Sequence, residues 1–287
     1  MPEAIAPRQG MVTSPHYLAS EAGLGVLKDG GNAVEACVAV AAALAVVYPH
    51  MTSIGGDGFW LVHEPDGTVY SVNACGAAGR NVSIDLYEAE GYANIPWRGP
   101  LAAITVAGTV SGWEKALATS GSTLPLARIL RDAIQYAEDG IPITKGGAAI
   151  AAAKDAELSP VFGYSEIFRP NDTPLKEGDK LKQVALAETL RKLAENGLSD
   201  FYTGALADEL IADLKDAGSS LTKEDFLSHR AEKLAPLKAR VREADLYNTA
   251  PPTQGFTSLL ILSLFDRLEP KIAESFEHVH TLIEATK

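Results

Sequence analysis

Cysteine, methionine, aromatic side chains and positive charge are all scarce in this sequence. Of 287 residues two are cysteine and three methionine, and aromatics make up 7%. Cys37 and Cys75 cannot build a disulfide framework, and no CxxC pair offers zinc spacing. Free thiols fit a reducing compartment. Lys and Arg number 25 against 37 Asp and Glu, a formal net charge of −12. Nucleic acid and anionic membrane surfaces both call for a basic face, so neither is an expected partner. Long hydrophobic runs are lacking too. The longest, Ala36 to Val47, is too short and too alanine-rich to span a bilayer. The opening MPEAIAPRQGMVTS lacks a basic region followed by an apolar one, so no secretory leader is read there. Together these absences lead to the expectation of a soluble cytoplasmic protein.

What is present is an apolar fraction of 46%, enough for a real core, with no repeat and no low-complexity linker. Tyr17 to Lys28 fits a helix stopped at Gly30-Gly31. Asn32 with Glu35 three positions on reads as a capping box opening a helix over Ala33 to Val47. That helix is apolar all round and must be buried on every side. Phe59 to His63 and Thr68 to Asn73, joined by Pro65-Asp66-Gly67, read as a β-hairpin. Ile104 to Val106 is a short strand candidate. Helical patterns follow at Thr109 to Leu117, Pro125 to Asp139, Ala148 to Ala156, Lys182 to Asn196, Gly204 to Ala217, Ser258 to Leu268 and Phe276 to Lys287. Thr222 is a candidate N-cap for one more short helix. Helices outnumber strands, so the class is α/β or α+β, and one domain is the simpler count.

No constellation in these residues is a complete active site. The Gly55-Gly56-Asp57-Gly58 turn could aim backbone N–H groups at an oxyanion, or it could simply lead the chain into the strand. Cys75 follows the second hairpin strand, where side chains are presented at a site mouth. A cysteine nucleophile needs a base and an orienting group, and no histidine sits in a local signature with it, so pocket lining is the simpler role. His278 and His280, two apart on a helix, point to different faces and do not form a metal pair. Arg80 and Arg98 lie in turn-rich segments where a guanidinium can grip a carboxylate with two hydrogen bonds, or stay solvated. No metal or other cofactor is expected.

A series of segments, in order, resembles the γ-glutamyltranspeptidase family. They are Gly10 to Ser20, Gly30 to Ala36, Pro49-His50, Ile54 to Phe59, Val106 to Trp113, Phe201 to Gly204, Leu221 to Asp225 and Pro251 to Gly255. The resemblance runs along nearly the whole chain. It implies an α+β fold, the four-layer αββα sandwich of N-terminal-nucleophile hydrolases. Residues 1–287 would form the large-subunit portion, helix-rich, completed by a small subunit. In that family a precursor cleaves itself before a threonine, which becomes the nucleophile with its own α-amine as base. The family's TTHxSVxD-like opening is absent here, so no catalytic residue is expected in this chain and the nucleophile is expected on the small subunit. Thr281 is not that threonine. A dimer of heterodimers is one assembly this arrangement allows.

The departures from the family pattern bear on substrate. The family's carboxylate-gripping arginine, in a DxRExAP-type segment, falls here at about Cys75, within Asn73-Ala74-Cys75-Gly76. Arg80 lies a few residues on. The resemblance therefore implies a branch that cleaves another small amide or acyl-amide bond through an acyl-enzyme, as oxamate-type amidohydrolases and acylases do. Asn73, Cys75, Arg80 and Arg98 are the substrate-binding candidates. The alternatives are a γ-glutamyl hydrolase or transferase acting on glutathione-like substrates, with Arg80 as clamp, and a catalytically inactive binding scaffold of the same fold.

Overall fold

The computed structural model describes residues 10–161 and 163–287; most of the stretch scanned for a leader lies outside them. Helix α1 (Tyr17–Lys28) runs against helix α2 (Ala33–Val47). The capping box forms as the sequence implies. Asn32 Oδ1 accepts from the Glu35 amide at 2.9 Å, and Glu35 Oε2 accepts from the Asn32 amide at 2.6 Å. Glu35 is fully buried. Its other oxygen accepts from Ser122 Oγ and from the Thr123 and Leu124 amides, each at 2.7 Å. A buried carboxylate is tolerable because its acceptor sites are filled. The cap thus also ties α2 to a loop nearly ninety residues away.

Strands β1 (Gly58–His63) and β2 (Val69–Ala74) form the expected antiparallel hairpin, with Phe59 opposite Asn73 and Val62 opposite Tyr70. Thr68 N–H donates to Asp66 Oδ1 at 2.8 Å, and Gly67 takes φ +88°, which a Cβ would resist. Trp60, Val62, Tyr70, Val72 and Ala74 share the core-facing side. Phe59 and Leu61 alternate with them and stay exposed on the other face.

The chain continues through α3 (Ile84–Ala89), α4 (Thr109–Ser120), α5 (Leu126–Asp139), β3 (Ile141–Pro142), α6 (Lys145–Leu158) and α7 (Tyr164–Phe168). Then come β4 (Lys180–Leu181), α8 (Val184–Asn196), α9 (Asp200–Thr203), α10 (Ala205–Asp216) and α11 (Lys223–Ser228). Strand β5 (Glu232–Leu234) returns to pair antiparallel with β2, giving the order β1-β2-β5. A second hairpin, β6 (Leu237–Val241) and β7 (Ala244–Asn248), precedes α12 (Gly255–Arg267) and α13 (Phe276–Thr286). This is a helix-rich α+β architecture. Its main core gathers Val26, Val38, Val46, Val110, Trp113, Ile129, Leu130, Leu190 and Leu193, all essentially buried. Each such side chain contributes about 1.5–3 kcal/mol when fully removed from water. Among the described residues no helix is long and apolar enough to cross a membrane.

Two expectations need correcting. Ile104 to Val106 makes no strand, only an isolated bridge between Ala78 and Thr105. Pairing stops there because Val106 presses its carbonyl onto Gly76 and the chain then turns into α4. Strands β5 to β7 had no counterpart in the sequence reading. Their alternation is largely polar and resembles a solvated loop; β5 becomes a strand only against β2, while β6 and β7 pair with each other.

Candidate functional site

Where β2 ends, three segments converge. Asp57 Oδ1 accepts from the Gly76 amide at 3.1 Å, and its Oδ2 accepts from the Cys75 thiol at 3.6 Å. Asn73 Oδ1 accepts from the Cys75 amide at 3.0 Å. Thr109, at the start of α4, donates its hydroxyl to the Gly56 and Asp57 carbonyls at 2.8 and 2.9 Å. The Gly108 and Thr109 amides both donate to the Gly56 carbonyl at 2.8 Å. The glycines here are steric requirements. A Cβ at Gly76 would stand 1.6 Å from the Val106 oxygen, and one at Gly108 1.9 Å from the Ala74 oxygen. The Gly55–Gly58 turn therefore braces the end of β2. Its Gly56, Asp57 and Gly58 also line a neighbouring pocket of about 600 Å³.

A pocket of about 410 Å³ opens on the other side of this junction, with Asn73, Cys75 and Arg80 on its wall. So three of the four substrate-binding candidates are brought together. Arg98 is not among them. It pairs with Glu157 and lines a separate, more apolar pocket of about 390 Å³ beside Lys154 and Tyr164. Burial raises the Cys75 thiol above its ordinary value, and the charge and hydrogen bond of Asp57 raise it further. The group is a neutral thiol at physiological pH, which suits a lining residue better than a nucleophile. His278 and His280 lie far along the chain in α13, packed on Phe265 and Phe276 respectively.

Sequence reasoning missed the residues that hold this pocket from behind. Asp225, buried in α11, accepts from the Arg80 amide at 3.1 Å and from the Thr222 amide and hydroxyl at 2.9 and 2.8 Å. Burial pushes its carboxyl up, but the hydrogen bonds from Thr222 and Arg80 outweigh burial and hold it below the usual value. His229, also buried, places Nε2 2.8 Å from Ser111 Oγ. The Ser111 hydroxyl donates to the Gly108 carbonyl at 2.8 Å, so the remaining bond is best made by Nε2–H donating to Oγ. The Ser111 amide donates to the Tyr202 hydroxyl at 3.0 Å, and that hydroxyl donates to the Ala107 carbonyl at 2.7 Å. Burial pushes the Tyr202 phenol up to about 12. Burial and then Arg230 lower the His229 imidazole, partly offset by Asp57, so His229 is neutral at physiological pH. These residues come from positions about a hundred apart, and the one local signal was the Thr222–Asp225 capping box.

The sequence model of the gamma-glutamyltranspeptidase family matches residues 19–287. The chain belongs to the gamma-glutamyltranspeptidase family. It is 48% identical over 282 residues to the oxamate amidohydrolase proenzyme of Klebsiella pneumoniae, covering 97% of this chain and 53% of that protein. It is 41% identical over 291 residues to a glutathione hydrolase-like proenzyme of Bacillus subtilis, covering all of this chain and 55% of that one. The crystal structure of Helicobacter pylori gamma-glutamyltranspeptidase superposes with a TM-score of 0.91 at 30% identity, covering 99% of this chain and 83% of that one. The fold is therefore the one the family resemblance implied, the helix-rich α+β fold of the N-terminal-nucleophile hydrolases. The chain spans about half the length of the curated relatives it matches.

Proposed function

We propose that residues 1–287 are the large-subunit portion of an autoprocessing, threonine-type amidohydrolase that cleaves a small amide or acyl-amide bond. The nucleophilic threonine and its α-amine would come from the small subunit. This chain would supply one wall of the pocket through Asn73, Cys75 and Arg80. The exposed Phe59 and Leu61 face of the hairpin sheet supports the pairing, since an apolar sheet face in a layered sandwich needs a second layer over it.

The observation that carries the substrate reading is Cys75. A neutral thiol hydrogen-bonded to Asp57 stands where the family's carboxylate-gripping arginine is expected. The similarity to an oxamate amidohydrolase proenzyme points the same way. The acyl group would pass to the threonine hydroxyl with loss of ammonia or an amine, and water would then release the acid.

A second reading keeps γ-glutamyl hydrolysis or transfer, with Arg80 as the clamp. It is favoured by one feature: the Arg80 side chain is 66% exposed, and its ion pair with Asp225 is long, at 3.8 Å. The test uses the full precursor. Intact mass and N-terminal sequencing should find a second polypeptide beginning with threonine. Ammonia release should be measured from oxamate, and p-nitroaniline release from a γ-glutamyl anilide. Turnover of the anilide alone would replace the first reading with the second. An uncleaved precursor, inactive on both, would leave a binding scaffold.

A further inference from the structure

The carboxylate-binding capacity missing at Cys75 has a second source on the same pocket, Arg230. It follows the C-terminus of α11 and is exposed at the pocket mouth with Arg80. One end of its guanidinium is already tethered. Nη1 donates to the Leu227 carbonyl at 2.9 Å and also to the His229 carbonyl. Leu227 is in the last turn of α11, where carbonyls lack helical partners and a cation is favoured. The tether fixes the plane of the fork before any ligand arrives, so less side-chain entropy is lost on binding. Among the described residues Nε and Nη2 have no partner.

The charges around the mouth are unequal. Asp225 is saturated by three donors, and Asp57 is occupied by Gly76 and Cys75. Glu232, opposite Asn73 on β5, is the one lining carboxylate to which no group among the described residues donates a hydrogen bond. Arg80, Arg230 and Glu232 are exposed at the mouth, whereas Asp225 is buried behind it beside Arg80, so an incoming anion meets two guanidinium groups and one exposed acid.

We infer that Arg230 and Arg80 together form the carboxylate clamp of this enzyme, and that its substrates are monoamides of short dicarboxylic acids. The inference rests on the amide-hydrolysis reading above. The carboxylate lies between the two forks, and the short backbone leaves the amide pointing toward the partner subunit's threonine. A neutral diamide of the same size lacks the group the clamp holds.

The test is Arg230→Gln in the matured full-length enzyme. Glutamine keeps an NH₂ for the two carbonyls but loses the charge. KM for oxamate should rise about tenfold or more, with kcat changed less, because one charge-assisted contact is lost in binding. KM for oxamide should barely move. Arg230→Lys, charged but without the fork, should fall between. Calorimetric titration with oxalate reads the clamp without turnover: wild type should bind it and Arg230→Gln should bind at least about tenfold more weakly. Equal losses on oxamate and oxamide, an unchanged oxamate KM, or no oxalate binding by wild type would each overturn the clamp. Oxalate binding that Arg230→Gln abolishes, in a protein that turns over neither amide, would keep the clamp and sink the hydrolase reading instead.

Discussion

The junction at the end of β2 and the C-terminal arm, from β6 to α13, differ in what completes them. At the junction, backbone groups from residues 56, 76, 106 and 108 meet at distances that only glycine at 76 and 108 allows, and both oxygens of Asp57 have donors. In the arm, α12 packs mainly on β6, β7 and α13, while Phe256, Leu260, Leu262 and Leu264 around it remain exposed. The main core ends at Phe226. The junction is finished within this chain, whereas the arm carries apolar surface that none of the described residues covers. The junction side of the pocket is thus set by this chain's own contacts, and the arm is where added structure would change stability most.

The largest effect expected is at the junction. Gly76→Ala would set a methyl against the Val106 backbone, which no rotamer change can relieve. Urea unfolding should show a loss of about 3 kcal/mol or more, or failure to fold. A midpoint shifted by under about 0.5 kcal/mol would mean that the junction is loose and the comparison wrong.

Next comes Asp225→Asn, which weakens the bonds from the Thr222 amide and hydroxyl and from the Arg80 amide. About 1–3 kcal/mol should be lost near neutral pH. The pH dependence follows from the lowered carboxyl. The stabilisation is present above the ordinary value of 3.8 and fades as pH falls through the lower folded value. Wild type and variant should therefore converge in strongly acidic buffer. Parallel unfolding curves down to that range would show that Asp225 does not act through its charge.

Much of the fold was legible because its signals are local. The α1 and α2 spans, the Asn32–Glu35 box and the first hairpin follow from spacing and turn chemistry within ten or fifteen residues. The pocket was half legible. Asn73 and Cys75 could be placed by their position at the end of a strand, but Asp225, His229 and Arg230 reach the site only when β5 folds back, with Leu234 163 residues beyond Ser71, to pair with β2. No periodicity encodes that return. Arg98 was illegible for the same reason: a turn-rich setting made it a candidate, and Glu157, 59 residues on in α6, took it.

A smaller effect is expected from His229. Its imidazole is lowered by burial, so the unfolded chain takes up a proton first as pH falls below the ordinary 6.5. Stability should then decline between about pH 6.5 and the lower folded value. His229→Gln, which can still donate to Ser111, should flatten that decline while costing little at pH 8. A slope identical to wild type between pH 8 and 5 would mean that His229 is solvated enough to titrate normally. It would also remove the argument that Nε2–H holds Ser111 and, through Gly108, the bracing turn.

The smallest effect belongs to the arm. Leu260 is 45% exposed on α12, and Leu260→Ser should change the stability of this chain alone by no more than about 0.5 kcal/mol. Leu190→Ala, by contrast, empties a fully buried core position and should cost about 2–5 kcal/mol. The contrast sharpens when the same two changes are made in the full precursor. If the proposed small subunit packs on α12, Leu260→Ser becomes a polar group buried without a partner, and its cost should rise to about 1–3 kcal/mol. Leu190→Ala should keep its cost, because its surroundings are already complete. Equal, small effects of Leu260→Ser in both forms would mean that α12 faces water in the assembled protein. The apolar residues on it would then need a different account.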